Sequence, residues 1–220
     1  VTSYEAGVKA DLFDRRLRVN AAAFLGKFKE IQFGIGSCPE FGAAPACGVT
    51  GNAGDADVSG FEVEVSARPI DGLVIDAALS QLDFQYTRIN PNAGGPTRPT
   101  GVQLFHKRAY APEWKWSLGV QYTIELGDHG SLTPRIDAAY QDEMFTSGTN
   151  TAPSRIGAYT LANARLTWRN AASDLEVSAE VTNLTNEYYF LTLFDESAFG
   201  RVNAQPGRPR EWALTVEKTF

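Results

Sequence analysis

Few residues of this chain could do covalent chemistry, and their spacing argues against it. His106 and His129 are the only histidines, one in an irregular stretch and one in the turn Gly127-Asp128-His129-Gly130. Neither has a third group placed by sequence to complete a catalytic set. Glu62 and Glu64 share one face of an extended segment, as do Glu176 and Glu180. Solvation on a wet face explains such carboxylates. No serine elbow, phosphate loop or HExxH motif is present, so no catalysis, cofactor or metal site is expected. Cys38 and Cys47 lie in a Gly/Pro/Ala-rich stretch with no histidine nearby. They read as a disulfide made in an oxidising compartment rather than as a metal site, two free thiols being the other reading. What remains is binding. Arg88, Arg98, His106, Lys107 and Arg108 form a modest basic group suited to an anionic chelate. Phe145, Tyr188, Tyr189, Phe190 and Phe194 could stack on a sugar or an aromatic ligand; solvated loops with a few aromatic anchors are the plain alternative. Arg208 and Arg210 belong more naturally to the last strand's structure.

The elements that must position these residues show period-two alternation, the mark of sheet geometry. Tyr4, Ala6, Val8, Ala10 and Leu12 share the first face, and Leu17, Val19, Ala21, Ala23 and Leu25 the second. Phe61 to Ala67, Leu73 to Leu79, Trp114 to Ile124, Leu132 to Tyr140, Ala162 to Trp168 and Leu175 to Val181 continue the series. The last block sets Trp212, Leu214 and Val216 against Glu211, Ala213, Thr215 and Glu217, and the chain stops on Phe220. About nine strands of 12–17 residues are therefore expected, longer than globular strands usually are. Asp14-Arg15-Arg16, Pro69-Ile70-Asp71-Gly72, Gly127–Gly130 and Ala171-Ala172-Ser173 read as tight turns. Long irregular stretches fall between them at about 34–54, 88–108, 144–157 and 187–207. Short turns at one end and long loops at the other suit an all-β, antiparallel up-and-down transmembrane β-barrel segment, with periplasmic turns and outer loops. Half-apolar strands also explain 43% hydrophobic residues with no run of eighteen apolar ones, which leaves no helix to span a bilayer. Trp116, Tyr140, Trp168 and Phe220 are candidates for interfacial belts. A net charge of −6 argues against nucleic acid as a partner.

Four segments resemble the C-terminal barrel of TonB-dependent outer-membrane receptors. They are Ser3-Tyr-Glu-Ala-Gly-Val-Lys with Arg16-Leu-Arg-Val-Asn; Asn52 to Val65 with Pro69-Ile-Asp-Gly-Leu; Tyr159-Thr-Leu-Ala-Asn-Ala-Arg-Leu with Val181-Thr-Asn-Leu-Thr-Asn-Glu-Tyr-Tyr; and Gly207-Arg-Pro-Arg-Glu-Trp through Phe220. They span nearly the whole chain in order. Lys218 departs from the pattern, standing where an apolar residue is usual, and is expected to snorkel to the interface or to weaken recognition by the assembly machinery.

The resemblance implies that residues 1–220 are the last nine strands of a barrel whose plug and N-terminal strands lie elsewhere. Val1 opens in mid-pattern, as a cut inside a longer protein would. It also implies energy-coupled uptake of a scarce nutrient, such as a ferric siderophore, in the bacterial outer membrane. Arg98, His106, Lys107, Arg108, Phe145, Tyr188, Tyr189 and Phe194 are then candidate ligand contacts on the outer loops. Trp212, Leu214, Val216 and Phe220 become the C-terminal signal read by the barrel-assembly machinery. Membrane lipid, the TonB complex reached through the plug, the missing barrel half and a small-molecule nutrient are the implied partners. A small self-contained outer-membrane pore or adhesin and a soluble secreted carbohydrate-binding β-protein are the alternatives.

Overall fold

The structure is a computed structural model that describes residues 1–35, 49–93 and 100–220. Cys38, Cys47 and Arg98 lie outside the described residues. Among the described residues the wall is an antiparallel meander of nine strands. It runs β1 (Thr2–Leu12), β2 (Leu17–Ile35), β3 (Val49–Ala67), β4 (Leu73–Ile89) and β5 (Trp114–Tyr122), and continues past a two-residue strand β6 (Ile124–Glu125) to β7 (Ser131–Gln141). After the short β8 (Met144–Phe145) and β9 (Arg155–Ile156) come β10 (Tyr159–Arg169) and β11 (Leu175–Thr182). β12 (Phe190–Glu196) and β13 (Arg201–Pro206) form a separate hairpin before β14 (Glu211–Lys218) closes the series. β6 pairs only with β7, and the meander ends at β1 on one side and β14 on the other.

Register turns the alternation into surfaces. One cross-strand row reads Leu12, Leu17, Ala67, Ile75, Val120, Ile136, Ala164, Val181, Trp212, apolar on all nine strands. One residue along each strand the opposite face reads Asp11, Arg18, Ser66, Asp76, Gly119, Asp137, Asn163. The apolar rows end outward at Ser59–Asp83 and Asp57–Gln85, where that face becomes polar. On the other face at this height, Gly26–Val58–Phe84 and Phe28–Ala56–Tyr86 are apolar. Polarity thus inverts along β2, β3 and β4. Apolar-out gives way to apolar-in where a wall leaves lipid and enters water.

Aromatics make cross-strand contacts near both ends of the apolar rows. Trp116 stacks on Tyr140 at 5.9 Å and Phe61 meets Trp114 edge-on at the upper rim. At the lower rim the Trp168 indole N–H donates to the His129 carbonyl at 2.9 Å. β5 spans nine residues from Trp114 to Tyr122. At ~3.4 Å per residue and a tilt of ~40° that is a height of roughly 21 Å, close to the ~25 Å apolar band of outer-membrane barrels.

Several boundaries differ from the sequence expectation. β2 reaches Ile35 and β3 starts at Val49, so both ends of the expected loop 34–54 are strand. The nine wall strands range from 8 residues in β11 and β14 to 19 in β2 and β3. The stretches 144–157 and 187–207 are not irregular: each carries a hairpin. The alternation from Trp114 to Ile124 breaks at Thr123, whose N–H donates to Gly72 O across to the neighbouring turn. Lys218 pairs with Asp174 in the turn before β11. At the tight turns, Asp14 and Arg15 adopt left-handed φ of 55° and 66°, the geometry that matches strand twist.

Candidate functional site

The outer ends of β4 to β14 carry the connections that hold most of the candidate residues. Between β4 and β5 the chain is anchored by Val102, which is buried against Phe33, Ala53, Ala56 and Tyr86 on the inner face above the belt. That apolar inner face exists because β2, β3 and β4 extend past the polarity inversion. A trio at their outer ends fixes the bulge there. Arg88 donates from Nε to Asp55 at 2.8 Å and also pairs with Glu30, while Asp55 accepts the Glu30 backbone N–H at 2.9 Å. Glu30 needs that support because its φ is +57°.

After Val102 the chain makes a turn from Gln103 to His106 and then meets the next connection. The Lys107 N–H donates to Asn150 Oδ1 at 2.6 Å, and Asn150 Nδ2 donates back to Lys107 O at 3.0 Å. Lys107 Nζ and Arg155 Nε both reach Glu143, at 3.2 and 3.0 Å. Their hydrogen bonds, Arg155's first, hold the Glu143 carboxyl below its ordinary range. Tyr110 ties in the third connection: its N–H donates to Phe145 O at 2.8 Å, and its hydroxyl bonds Thr192 Oγ1 at 2.7 Å.

Hairpins β8–β9 and β12–β13 pack on each other through Met144, Ile156 and Leu193, with Tyr159 and Phe190 against them. Thr146 Oγ1 donates to Leu193 O at 2.6 Å, and Thr151 bonds Asp195. The Ser197 hydroxyl, and after it Thr151, lowers the Asp195 pKa. Asn183 governs the exit from β11. It is 5% exposed, sits at φ +49°, donates from Nδ2 to Glu187 O and Arg208 O, and accepts the Glu187 N–H. Three connections are thereby joined into one layer over the outer end of the wall.

Within that layer the candidates have separate fates. His106 and Lys107 lie on one segment beside the 143–155 connection, but Lys107 is engaged by Glu143. Arg108 is exposed. Phe145 takes part in the layer through its backbone. Tyr189 packs on Tyr159 at 4.7 Å and covers Gly207, where an added Cβ would lie 2.0 Å from the Tyr189 ring. Tyr188 and Phe194 remain strongly exposed. Sequence reasoning missed Tyr110, Glu143, Arg155 and Asn150. They sit in stretches without periodicity, and only their cross-connection partners reveal them.

Below the layer, the concave polar face forms a second surface. Arg18 is bidentate on Asp11 at 2.7 and 3.1 Å. Arg135 holds Asp137 and donates to Gln121 at 3.0 Å, and Arg169 pairs with Glu176 at 2.7 Å. Glu62 and Glu64 stand on the same face, Glu64 accepting from Asn20 at 3.3 Å. Among the described residues no group of three His, Cys, Asp or Glu side chains is arranged to hold a metal ion. The arrangement offers polar and aromatic contacts rather than a nucleophile paired with a base.

The model of a protein family, the TonB dependent receptor-like β-barrel, matches residues 1–184. A metal-pseudopaline receptor, CntO of Pseudomonas aeruginosa, is 24% identical over 217 residues, which is 99% of this chain and 27% of CntO. The ferric yersiniabactin uptake receptor FyuA from Yersinia pestis superposes with a TM-score of 0.76 at 20% identity, over 99% of this chain and 29% of FyuA. The ferric-catecholate import receptor Fiu from E. coli K12 gives 0.69 at 21% identity, over 99% and 27%. The chain spans little more than a quarter of the length of these relatives.

Proposed function

This chain belongs to the TonB-dependent receptor β-barrel family of the Gram-negative outer membrane, and from that premise we propose that it is the C-terminal barrel segment of a metal-chelate uptake receptor. In this reading the nine strands supply part of the wall and the docked outer hairpins help to capture an anionic metal chelate. Energy from the TonB complex, delivered through a plug elsewhere in the polypeptide, drives import. The protein binds and transports; it makes and breaks no covalent bond. The free edges of β1 and β14 pair with the rest of the barrel, because unpaired backbone groups cannot face lipid. Trp212, Leu214 and Val216 stand on the apolar face of β14, and with Phe220 they are the residues the assembly machinery would read.

The observation that carries the proposal is the consolidated outer layer above the polarity inversion. A barrel that only anchored itself would not need three connections tied through Glu143, Tyr110 and Thr146. Arg108, Tyr188 and Phe194 are the ligand contacts favoured within it, since their side chains are exposed on a fixed frame. Arg98 is retained as a contact on its sequence position alone.

The test is uptake by the full-length receptor in cells lacking other chelate receptors. The probes are radiolabelled metal–pseudopaline, ferric yersiniabactin and ferripyoverdine. One of them, or another anionic chelate, is expected to accumulate only when TonB is present. Accumulation that is unchanged without TonB would refute energy coupling, and binding of no anionic chelate would refute the ligand class.

A further inference from the structure

We infer that the free edge of β13, out in the water-exposed layer, is a docking edge for a further strand. Its occupant is the outer continuation of the barrel strand that closes on β14, so the inference rests on reading this chain as part of a larger barrel. That reading asks for a partner on β14 and asks for none on β13.

The hairpin β12–β13 is an interrupted continuation of the β11–β14 ladder. Pairing stops at Thr182–Glu211 and resumes at Phe190–Pro206. The backbone does not turn over across the break. The Gly207 N–H donates to Tyr189 O at 2.9 Å and the Arg210 N–H to Asn186 Oδ1 at 3.1 Å, while Arg208 O accepts Asn183 Nδ2 at 3.1 Å. From β13 into β14 the chain therefore keeps one side towards β11 and β12, and its two free edges lie on the same side. The opposite flank of the hairpin is already taken. Leu193 of β12 packs with Met144 and Ile156, its carbonyl accepts from Thr146 Oγ1, and Thr192 bonds the Tyr110 hydroxyl. Among the described residues β13 pairs with β12 alone, and all six of its residues are exposed.

The edge also lacks the devices that keep an edge strand from pairing, which are lysines, proline within the strand, inward charge or a bulge. Arg201 is its single charge and is paired with Glu196; Pro206 stands at its last position. The extra residue of the bulge between Phe190 and Thr192 belongs to β12. A strand running outward past β14 meets β13 next and is antiparallel to both. One of 19 residues, the length of β2 and β3, covers Arg201 to Lys218. Cross-strand pairing sets its chemistry. It is apolar beside Val202 and Ala204, which share a face with buried Leu193, and polar beside Asn203 and Gln205. Seated there, it fastens the last outer hairpin to the other part of the barrel, and the layer tied through Tyr110 and Thr146 continues across the closing seam.

The test is hydrogen exchange of the full-length receptor in detergent, resolved to single amides. In an uncovered hairpin alternate amides of β13 point to solvent; beneath a third strand every one is bonded. All amides of 201–205 should therefore exchange at least about tenfold slower than unprotected ones, as one hydrogen bond each predicts. Alternate amides at unprotected rates in β13, with those of β14 all slow, would overturn this inference and leave the barrel reading standing. Unprotected alternate amides in both strands would retire the barrel reading as well.

A photocrosslinker identifies the occupant. With Gln205→benzoylphenylalanine, irradiation should join β13 to the same polypeptide, in the segment that directly follows the strand paired with β14. An adduct with a second copy of the receptor, or with another segment, would overturn the assignment even if the edge is protected.

Discussion

Replacing Asn183 with alanine should open the outer connection between β11 and β14 while leaving the wall intact. The side chain makes three hydrogen bonds to backbone: to Glu187 O at 2.9 Å, to Arg208 O at 3.1 Å, and from the Glu187 N–H at 2.8 Å. Each contributes about 1 kcal/mol net in such a buried place. Alanine at φ +49° adds about 1 kcal/mol of left-handed strain that asparagine tolerates better. The sum is about 4 kcal/mol, or close to a thousandfold in the local opening equilibrium. Hydrogen exchange on the full receptor reads this directly, through peptides covering 183–190 and 206–212. Asn183→Gly separates the two contributions, because glycine removes the bonds without the strain. It should recover about fivefold of the loss. If alanine and glycine variants both exchange like the wild type, the three bonds do not hold this connection and the account of the outer layer fails.

Gly60 sits beneath the Phe24 ring, and an added Cβ would lie 2.2 Å from Gln81 O and 2.7 Å from Phe24 Cζ. Gly60→Ala should therefore lower the yield of folded barrel, at a cost of about 1–3 kcal/mol for overpacking. Gel mobility of unheated against heated receptor measures that yield, and unchanged mobility would refute the clash. Tyr86 is buried with its hydroxyl unpartnered among the described residues. Tyr86→Phe should leave the melting temperature equal or higher, since no bond is lost and a buried polar group is removed; a lower value would reveal a partner. For Glu143 the folded pKa is depressed, so its contribution is complete above the ordinary carboxyl value of 4.5 and is lost as pH falls through the folded value. Proteolysis of segment 142–156 should rise below about pH 4.5 in the wild type. It should already be raised, and flat with pH, in Glu143→Gln; parallel profiles would contradict the pairing.

How far the sequence carries depends on the length of the pattern. Trp114 to Tyr122 repeat one decision nine times, so face and strand are fixed without knowledge of a partner. The motif Val181 to Tyr189 was visible as a family signature. Its physical meaning, Asn183 tying Glu187 to Arg208, needed the fold, because the bond to Arg208 crosses 25 residues. The packing of Tyr189 on Gly207 was hidden for the same reason: nothing local shows that Gly207 leaves a place for its ring.

By itself the sequence determined an antiparallel wall, its apolar and polar faces, the short turns and the long connections. Those follow from the two-residue period of a strand, which any chain segment states locally. Only the tertiary structure decided where polarity inverts along β2, β3 and β4, because that depends on register between strands. It alone found hairpins in 144–157 and 187–207, and it alone spent Lys107 and Arg155 on Glu143. Short-range hydrogen bonds between residues far apart in sequence leave no periodic trace, and the outer layer is built from them.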